Sequence, residues 1–396
     1  MNVGKRIEAF RKEFPQLKGK IYFNHGGSSV MPTSVVTACI EGVKLGADYS
    51  VSSALKERWL EVRNDTRRMA AELIGAAEKN IAFVSSTSTA LSLVSLAIPW
   101  QAGDNVVTAE VENPATVVPW QNLGHLGVEV RYLPADRDDL IDLGALPALV
   151  DDRTRLVALS LVEYATGQRL DIPRVAEFCK PRRILVSVDA VQAAGAVPID
   201  VASLGADFLS FGAQKWLMGP RHIDVLYAGD AAINRVRSPI VTESNVRDIR
   251  AEEEEPTTGI PELRINDGAL KLEAVPYNNF AGVFGLRRAL ENVRSVGAPA
   301  IGERLHAITS ELVEGLGGFD GRIVSPRGAG EWSGIVSVAP NGARASDIAA
   351  RLRRNGAYVA VRKGRLRISP HYYNTSAEVS ELLSMLNDAG LPARRP

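Results

Sequence analysis

A lysine and an aspartate, each following an apolar run, are the residues of this sequence with the clearest chemistry. Lys215 lies in ADFLSFGAQKWLMGP, 26 residues after Asp189 of ILVSVDAVQAAG. An amine at the end of one buried strand can hold an aldehyde as a Schiff base, and a carboxylate at the end of the preceding strand can keep a pyridine nitrogen protonated. The pair predicts pyridoxal phosphate as cofactor and an amino acid as substrate. Burial should also lower the pKa of Lys215 and free its amine to act as a base.

Polar residues near this pair fit the remaining parts of the same cofactor. Gln192 follows Asp189 by three residues, one turn further along, and could donate to the phenolic oxygen of the ring. The hydroxyl run Ser85 to Thr89 joins a strand to a helix, where free N–H groups and the helix dipole favour a phosphate. Such runs are also common helix caps. Thr87 and Ser88 are therefore candidate phosphate ligands only in combination with the lysine and the aspartate.

A basic residue near the C-terminus could bind the carboxylate of the substrate. Arg367 lies on a predicted strand in GRLRISPHYYNT. The planar guanidinium of arginine can bind a carboxylate through two parallel hydrogen bonds. Arg362 and Arg365 compete for this role, and at least one of them is expected at the surface. We prefer Arg367.

The elements that must position these residues follow an α/β pattern. From about Ile21 to Gly229, short runs rich in Val, Ile and Leu alternate with helix-period segments, which is typical of parallel strands joined by crossover helices. We predict a short N-terminal helix at 1–20 that packs with a small domain, a large α/β domain at 21–265, and the small α+β domain at 266–396. The predicted strands of the large domain are IAFVSS, NVVTAEV, VEVRYLP, LVALSLVE, ILVSVDA, ADFLSFG and DVLYAG.

Composition narrows the range of partners. Lys+Arg and Asp+Glu are 46 each, so the net charge is zero and neither nucleic acid nor an acidic membrane surface is favoured. The two cysteines, Cys39 and Cys179, form no CxxC spacing and no disulfide framework, which favours a reducing, cytoplasmic setting. No segment has the pattern of a signal peptide or a membrane span, and no clustered His/Cys pattern predicts a metal site.

The ordered motifs of the chain resemble the class V aminotransferase family of fold-type I pyridoxal phosphate enzymes, which includes cysteine desulfurases, selenocysteine lyases and isopenicillin N epimerase-like proteins. These motifs are YFNHGGSSVMP, STSTALSLV, VENPATVVPW, VEYATG, VDAVQAAGAVPIDV, the Lys215 segment and LRISPHYYNT. The resemblance implies a mixed, mostly parallel seven-stranded sheet flanked by helices, and a homodimer with active sites near the subunit interface. It also implies a role for each candidate: the Schiff-base lysine is Lys215, the pyridinium partner Asp189, the phenolate partner Gln192, the phosphate ligands Thr87 and Ser88, and the carboxylate-binding residue Arg367.

The sequence departs from the family pattern at several positions. The region NGAYVAVRKGRLRIS contains no cysteine where desulfurases carry a nucleophilic one, so persulfide transfer through an enzyme cysteine is not expected. Asn113 replaces the ring that stacks on the cofactor, and it also fits a turn residue before a proline. Gln214 replaces the histidine before the lysine, Gly212 a phosphate-binding serine, and Val275-Pro276 the Gly-Thr of the second subunit. These changes suggest a specialised reaction or a bulky substrate.

We predict β-elimination from an S-substituted cysteine or a similar conjugate, a C–S lyase reaction of secondary metabolism, rather than persulfide-forming desulfuration. Lys215 would remove the Cα proton, and Tyr164 or His371 would assist the leaving group. The remaining candidate contacts are Asn113, Gln214 and Tyr164 for the cofactor, and His25 and His371 for the substrate.

Other reactions on the same scaffold stay open, because the cofactor supplies the chemistry and the protein chooses among outcomes by geometry. The alternatives are decarboxylating, oxygen-dependent deamination, epimerisation and transamination. The chain also resembles antibiotic tailoring enzymes that act on cysteine-conjugated lincosamide intermediates. From another class, a pyridoxal phosphate-binding protein without catalysis is a further alternative, although no DNA-reading module is appended.

Overall fold

The structure, a computed structural model, describes residues 3–247 and 263–394. Within them the chain has the α/β architecture that the sequence predicts. The strands are β1 Ile21–Tyr22, β2 Ile81–Val84, β3 Asn105–Ala109, β4 Glu129–Leu133, β5 Thr154–Ser160, β6 Leu185–Asp189, β7 Phe208–Gly212, β8 Asp224–Ala228, β9 Gly321–Ile323, β10 Val336–Pro340, β11 Ala357–Tyr358, β12 Ala360–Arg362 and β13 Arg365–Ile368. The α-helices are α1 Val3–Arg11, α2 Thr33–Asp48, α3 Ser53–Ile74, α4 Thr87–Ala97, α5 Pro114–Gln121, α6 Leu146–Leu149, α7 Ile172–Cys179, α8 Val201–Leu204, α9 Asp230–Ile233, α10 Phe280–Val296, α11 Ala298–Leu316, α12 Ala345–Arg354 and α13 Ser376–Asp388.

The central sheet contains the seven strands predicted from apolar runs, in the order β2-β8-β7-β6-β5-β3-β4. The pairs from β7 through to β4 are parallel, whereas β8 runs antiparallel to both β7 and β2. Alternate residues face two different apolar clusters: Phe83 and Val107 contribute to one, Val84 and Val106 to the other. Both faces of every strand except β4 are therefore covered, which explains why these strands read as nearly uninterrupted apolar runs. The edge strand β4 is only partly buried.

A smaller antiparallel sheet, in the order β12-β13-β10-β9, forms the C-terminal part of the fold. It packs with α11 and α12 around an apolar cluster of its own. Ile21 and Phe23 belong to this cluster, and β1 pairs in parallel with β11. The first residues after the N-terminal helix therefore contribute to the core of the small part, although the sequence assigns them to the large domain.

Two helices connect the parts. α10 packs mainly against α2 and α3, and its Val283 and Leu286 lie in the same cluster as the central sheet. In α1, Phe10 stacks on Tyr372, and Arg11 forms an ion pair with Glu378 at 2.9 Å. The domain limits at residues 20 and 265 stay predictions, and α10, predicted in the small domain, packs on the large one. Among the helices within the described ranges, none has the length and apolar character that a membrane crossing needs.

Candidate active site

The predicted site residues collect at one edge of the central sheet. Asp189 is the last residue of β6, and Lys215 lies three residues after the end of β7, its parallel neighbour. α4 begins at Thr87, three residues after β2, which runs in the same direction as β7. Ligands of open α/β sheets bind beyond the carboxyl ends of the strands. The topology therefore brings the lysine, the carboxylate and the hydroxyl run to the expected edge.

The Lys215 amine is partly buried, and its pKa is lowered to about 8. Loss of hydration is the main cause, and the guanidinium groups of Arg367 and Arg362 act in the same direction. The negative charge of Asp189 acts against them, because it favours the ammonium form. Near neutral pH the amine can therefore lose its proton, as an attacking or proton-moving amine must.

Asp189 is buried, and both of its carboxylate oxygens accept hydrogen bonds. Oδ1 accepts from the backbone N–H of Val191 at 2.8 Å, and Oδ2 accepts from the hydroxyl of Thr116 at 3.1 Å. Burial raises the pKa of this carboxyl, whereas the Val191 N–H and the Lys215 amine lower it. Thr116 is a site residue that the sequence does not reveal, because a threonine in the first turn of α5 has no distinctive pattern.

The amide of Gln192 is buried and joins two loops of the site. Its Nε2 donates to the carbonyl of Gly26 at 2.8 Å, and its Oε1 accepts from the indole N–H of Trp216 at 3.0 Å. The amide nitrogen has a second N–H, so a contact with the phenolic oxygen of the cofactor stays a prediction. The structure adds Trp216, whose buried indole anchors the loop that carries Lys215.

Arg367 is buried on β13 and has unused hydrogen-bond donors. Its Nη1 donates to the carbonyl of Tyr164 at 2.7 Å, but Nε and Nη2 have no partner within the described part of the chain. Burial lowers its pKa to about 9, and the positive charge of Arg362 adds to this effect. Nε and Nη2 form one edge of the guanidinium, and such an edge fits the two oxygens of a carboxylate. The geometry supports the preference for Arg367.

At least one of Arg362 and Arg365 was expected at the surface, but neither side chain is exposed. Arg365 is buried and forms an ion pair with Asp139, so its charge is already matched. Arg362 is half-buried, and its Nη1 donates to the carbonyl of Val361 at 2.7 Å. The expectation of an exposed side chain fails because both lie on the same face of the small sheet as Arg367, against the large part of the molecule.

The hydroxyl run both caps α4 and supplies the candidate phosphate ligands. Ser86 is the cap, since its Oγ accepts from the N–H of Thr89 at 3.0 Å. Ser88 is exposed at the helix start. The N–H and the hydroxyl of Thr87, in contrast, both donate to the carboxylate of Asp224, at 2.8 and 3.3 Å. The phosphate roles of Thr87 and Ser88 stay predictions, and Asp224 is an acidic residue that the sequence did not place here.

Three further candidates contribute chiefly local hydrogen bonds. Asn113 caps α5 by accepting from the N–H of Ala115 at 3.0 Å, which confirms its interpretation as a turn residue. The carbonyl of Gln214 accepts from the N–H of Ser29 at 3.0 Å. The backbone carbonyl of Tyr164 accepts a hydrogen bond from Arg367, and burial raises the pKa of the Tyr164 phenol. Direct contacts of these three with the cofactor stay predictions.

The two histidines predicted as substrate contacts form hydrogen bonds with other groups of the protein. In His25, Nδ1 is bonded to the hydroxyl of Ser29 at 2.7 Å and Nε2 to that of Tyr373 at 3.1 Å. In His371, Nδ1 accepts from the next backbone N–H at 3.0 Å, so Nε2 carries the proton and donates to the carbonyl of Trp216 at 2.9 Å.

Both rings therefore use their nitrogens to hold protein groups, and a contact of either ring with the substrate stays a prediction. Burial lowers the pKa of His371 to about 3. A ring that stays neutral and is bonded on both sides cannot supply a proton to a leaving group near neutral pH. What His371 does instead is fix the backbone next to Lys215.

Known proteins of similar sequence and structure identify the family. The family model described as "Aminotransferase class-V" matches residues 21–382 of the chain. The chain belongs to the class V aminotransferase family. A probable cysteine desulfurase of Methanothermobacter thermautotrophicus is 27% identical over 97% of this chain and 98% of its own. A cysteine desulfurase of Escherichia coli is 28% identical over 96% and 94%. The apo structure of the cysteine desulfurase of Thermococcus onnurineus NA1 has a TM-score of 0.83 at 25% identity, covering 96% of this chain and 97% of that one. The predicted family and fold type are confirmed.

The predicted reaction is wrong in the light of these relatives. The sequence was interpreted as a C–S lyase of secondary metabolism that is not a persulfide-forming desulfurase, whereas these relatives are named cysteine desulfurases. The cystine C–S lyase C-DES, solved with its product cysteine persulfide, has a TM-score of 0.84 over 96% of this chain, but at 23% identity it shows the fold alone. The absence of one cysteine from a single loop does not outweigh a similarity that spans nearly the whole chain.

The cofactor prediction is confirmed, because the class V family and these relatives depend on pyridoxal phosphate. The residues present fit its ring and its reactive aldehyde. Lys215 has a lowered pKa, Asp189 is a buried carboxylate, and two buried donors of Arg367 have no partner among the residues that the structure describes. When bound, pyridoxal phosphate withdraws electrons from the Cα of an attached amino acid. The fit to the phosphate group of the cofactor is poorer, because the carboxylate of Asp224 already accepts hydrogen bonds from the N–H groups of Thr87 and Ala213.

Proposed function

We propose that the chain is a cysteine desulfurase-type enzyme that releases the sulfur of L-cysteine and leaves alanine. The observation that carries this proposal is the combination of a Lys215 amine of lowered pKa with a buried edge of Arg367 that has no partner within residues 3–247 and 263–394. These two groups match the Cα proton and the carboxylate of an amino acid. The choice of cysteine rests on the relatives, which are named cysteine desulfurases.

Each residue then has a defined task at a stated atom. The Arg367 edge of Nε and Nη2 binds the substrate carboxylate and fixes its Cα toward the lysine. The Lys215 Nζ carries the proton away from Cα and returns one later, which an amine with a pKa of about 8 can do near neutral pH. Asp189, held by Thr116, provides the negative charge that a ring nitrogen needs to stay protonated.

The sulfur acceptor in this proposal is a thiol supplied from outside the chain. Cys179 is fully buried, and burial raises its pKa to about 12. Burial also raises the pKa of Cys39, which lies on α2 against α10. Because the thiolate is the nucleophile, neither cysteine is suited to take sulfur. The balanced reaction is L-cysteine plus a thiol RSH giving alanine plus the persulfide RSSH: the C–S bond breaks, an S–S bond forms, and the Cβ gains a proton.

The test measures alanine from L-cysteine, with and without an added thiol, in the holoenzyme. We expect alanine and persulfide in equal amounts, and a strong dependence on the thiol. Lys215→Ala should reduce the rate by ~10³-fold or more, since it removes both the covalent anchor and the proton carrier. The surface variant Lys20→Ala is the matched control and should behave as the wild type.

Two cysteine variants separate an external acceptor from an internal one. Cys39→Ser and Cys179→Ser should both keep the wild-type rate of alanine formation. If either variant loses desulfuration while it still binds cofactor, the acceptor is that cysteine. If the wild type forms no alanine from L-cysteine under any condition, the proposed function is wrong.

We also propose that the enzyme is a homodimer and that it works in a reducing, cytoplasmic setting. Three apolar side chains of α2, Val36, Ile40 and Val43, are 39%, 51% and 62% exposed, and their spacing places them along one side of the helix. Clustered exposed apolar residues on a folded chain favour a contact with another protein surface.

The two cysteines are both free, which agrees with a reducing setting.

A further inference from the structure

The carboxylate of Asp224 lies at the active-site edge of the sheet because β8 runs against its neighbours. Asp224 is the first residue of β8 and pairs with Gly212, the last residue of β7, on one side and with Val84, the last residue of β2, on the other. A residue that begins a strand is thus placed where the neighbouring strands end. This is also the edge at which Asp189 emerges.

The hydrogen bonds of Asp224 use the donors expected to hold a phosphate. Its Oδ2 accepts from the N–H of Thr87 at 2.8 Å and from the Thr87 hydroxyl at 3.3 Å. Its Oδ1 accepts from the N–H of Ala213 at 3.0 Å. Thr87 is the first residue of α4, and the N-terminus of a helix is a favourable place for an anion. A carboxylate of the chain itself already occupies this position.

The space beside this carboxylate is also filled. A Cβ atom at Gly212 would lie 3.1 Å from Oδ2 of Asp224 and 3.1 Å from a methyl group of Val191. A side chain at position 212 would therefore require the Asp224 carboxylate or Val191 to shift by a few tenths of an ångström, whereas glycine leaves both in place. The Asp224 carboxylate thus lies in space that the absence of a side chain at Gly212 leaves open.

The charge of Asp224 opposes a second anion. Its side chain is 3% exposed, and among the described residues no lysine, arginine or histidine forms an ion pair with it. Burial raises its pKa to about 6, while the N–H groups of Ala213 and Thr87 lower it. The group is thus mostly ionised at neutral pH. A phosphate brought to the same donors would meet a like charge at short range, which is unfavourable.

We propose that Asp224 competes with the phosphate group of the cofactor for the N-terminus of α4. The inference rests on the proposed function, because it concerns how that enzyme holds pyridoxal phosphate. The ring and the aldehyde are then the main source of cofactor affinity, and the phosphate adds little. The chain should therefore distinguish poorly between pyridoxal phosphate and pyridoxal, which lacks the phosphate.

The experiment titrates the cofactor-free protein with pyridoxal phosphate and with pyridoxal, and follows absorbance at neutral pH. For the wild type we expect Kd values within ~10-fold of each other. Asp224→Ala should bind pyridoxal phosphate at least ~10-fold more tightly and leave the Kd for pyridoxal unchanged, because two N–H groups become available. Asp224→Asn keeps the shape without the charge, and it should change affinity in the same direction.

Asp207→Asn is the matched control. Asp207 is another carboxylate of the same sheet, which accepts from the N–H of Val186 at 2.9 Å just before β7, at the opposite edge. This variant should keep both wild-type Kd values. Circular dichroism verifies that each variant is folded.

A third ligand separates this inference from the proposed function. Inorganic phosphate should raise the melting temperature of Asp224→Ala and have no effect on the wild type. A wild type that binds pyridoxal phosphate ~100-fold or more tightly than pyridoxal, or an alanine variant that gains neither phosphate nor cofactor affinity, overturns the role of Asp224. Failure of both aldehydes to form a borohydride-stable adduct at Lys215 counts instead against the proposed function, and the inorganic phosphate measurement still decides the role of Asp224.

Discussion

Lys215 is a nucleophile because of its surroundings rather than its type. An ordinary lysine is protonated at neutral pH, with a pKa near about 10.4. Here loss of hydration and two guanidinium groups favour the neutral amine, whereas the carboxylate of Asp189 and, to a smaller extent, that of Asp224 favour the charged form. Arg367 therefore does more than bind a carboxylate, since its charge also helps to free the amine. Binding of a substrate carboxylate would weaken that effect and return basicity to the lysine when it has to hold a proton.

The first prediction concerns the pH dependence of this amine. Below a pH of about 8 the folded protein keeps Lys215 protonated, and above it the amine is free to attack. In the cofactor-free protein, the rate of covalent capture of pyridoxal at Lys215 should rise with pH and level off above about 8. The measurement is the rate of borohydride-trapped adduct, located by mass spectrometry. Nα-acetyl-lysine in solution is the control, and its rate should still be rising at pH 9.

Two substitutions test the cause of the shift as well as its direction. Asp189→Asn removes the charge that favours the ammonium form, so the midpoint should move to lower pH. Arg367→Ala removes a charge that favours the neutral form, so the midpoint should move to higher pH. A wild-type midpoint near 10, or shifts of the opposite sign, would contradict this account of Lys215.

Single residues could be predicted from the sequence when their chemistry and their neighbours agreed. Lys215 and Asp189 were found because each follows an apolar run, and the carboxyl ends of parallel strands meet at one edge. Asp224 was missed because it precedes a run, and no pattern in DVLYAG shows that this strand points the other way. The hydrogen bonds of His371 could not be predicted, because the sequence shows an ionisable ring and not the two backbone groups that it holds.

At the scale of elements, α3 is tied to the edge of the central sheet by a buried group of charges. Arg63 and Arg67 of α3 both bind the carboxylate of Glu273, the second at 2.6 Å. The same carboxylate accepts from the N–H of Phe83 in β2 at 3.1 Å. Arg67 also donates to the carbonyl of Ile81 at 3.2 Å. Because α4 begins three residues after β2, this group of charges also helps to fix the helix whose N-terminus lies at the active-site edge of the sheet.

We therefore expect Glu273→Gln to be strongly destabilising. It removes one partner and leaves two buried guanidinium groups without a matching charge, which typically costs about 3–5 kcal/mol. The measurement is the free energy of unfolding in urea. Glu72→Gln is the control, because Glu72 lies on α3 and forms an exposed ion pair with Arg68 of the same helix at 3.0 Å. Loss of this exposed pair should cost about 1 kcal/mol or less. Equal costs for the two variants would show that the buried charges do not hold α3 in place.

Elements were predicted well where burial left a simple pattern and less well where packing decided. Six strands of the central sheet appear as apolar runs because both of their faces are covered. The seventh, the edge strand β4, is mostly exposed or half-buried. The periodicity of Val283 and Leu286 predicted the helix α10, but the pattern only shows that one face is apolar. Which surface covers that face depends on the tertiary fold, and the sequence pattern does not show that α10 packs mainly against α2 and α3.

At the scale of the whole molecule, the exposed side of α2 is the feature that a single chain does not explain. Val36, Ile40 and Val43 form an apolar stripe along this side of the helix, and each is more than a third exposed. Apolar surface of this kind is stabilised by burial, at roughly 25 cal/mol for each Å² removed from water. A second copy of the chain is the partner that we propose for it.

A charge placed in this stripe should disrupt the assembly. Val43→Glu would bury an unpaired carboxylate in the proposed contact, so we expect the variant to be monomeric where the wild type is dimeric. Sedimentation velocity at micromolar concentration measures the difference. The control is Leu126→Glu, at a single exposed leucine outside α2, which should leave the mass unchanged. A wild type that sediments as a monomer would refute the dimer.

The reversed direction of β8 also bears on how such a fold can diverge. Parallel neighbours bring to the active edge only residues that follow a strand, whereas one strand that points the other way also brings a residue that precedes one. That single position decides whether the chain provides its own permanent anion or leaves the place to one that diffuses in. One substitution there changes which small molecules the enzyme depends on, and every strand, helix and loop around it can stay as it is.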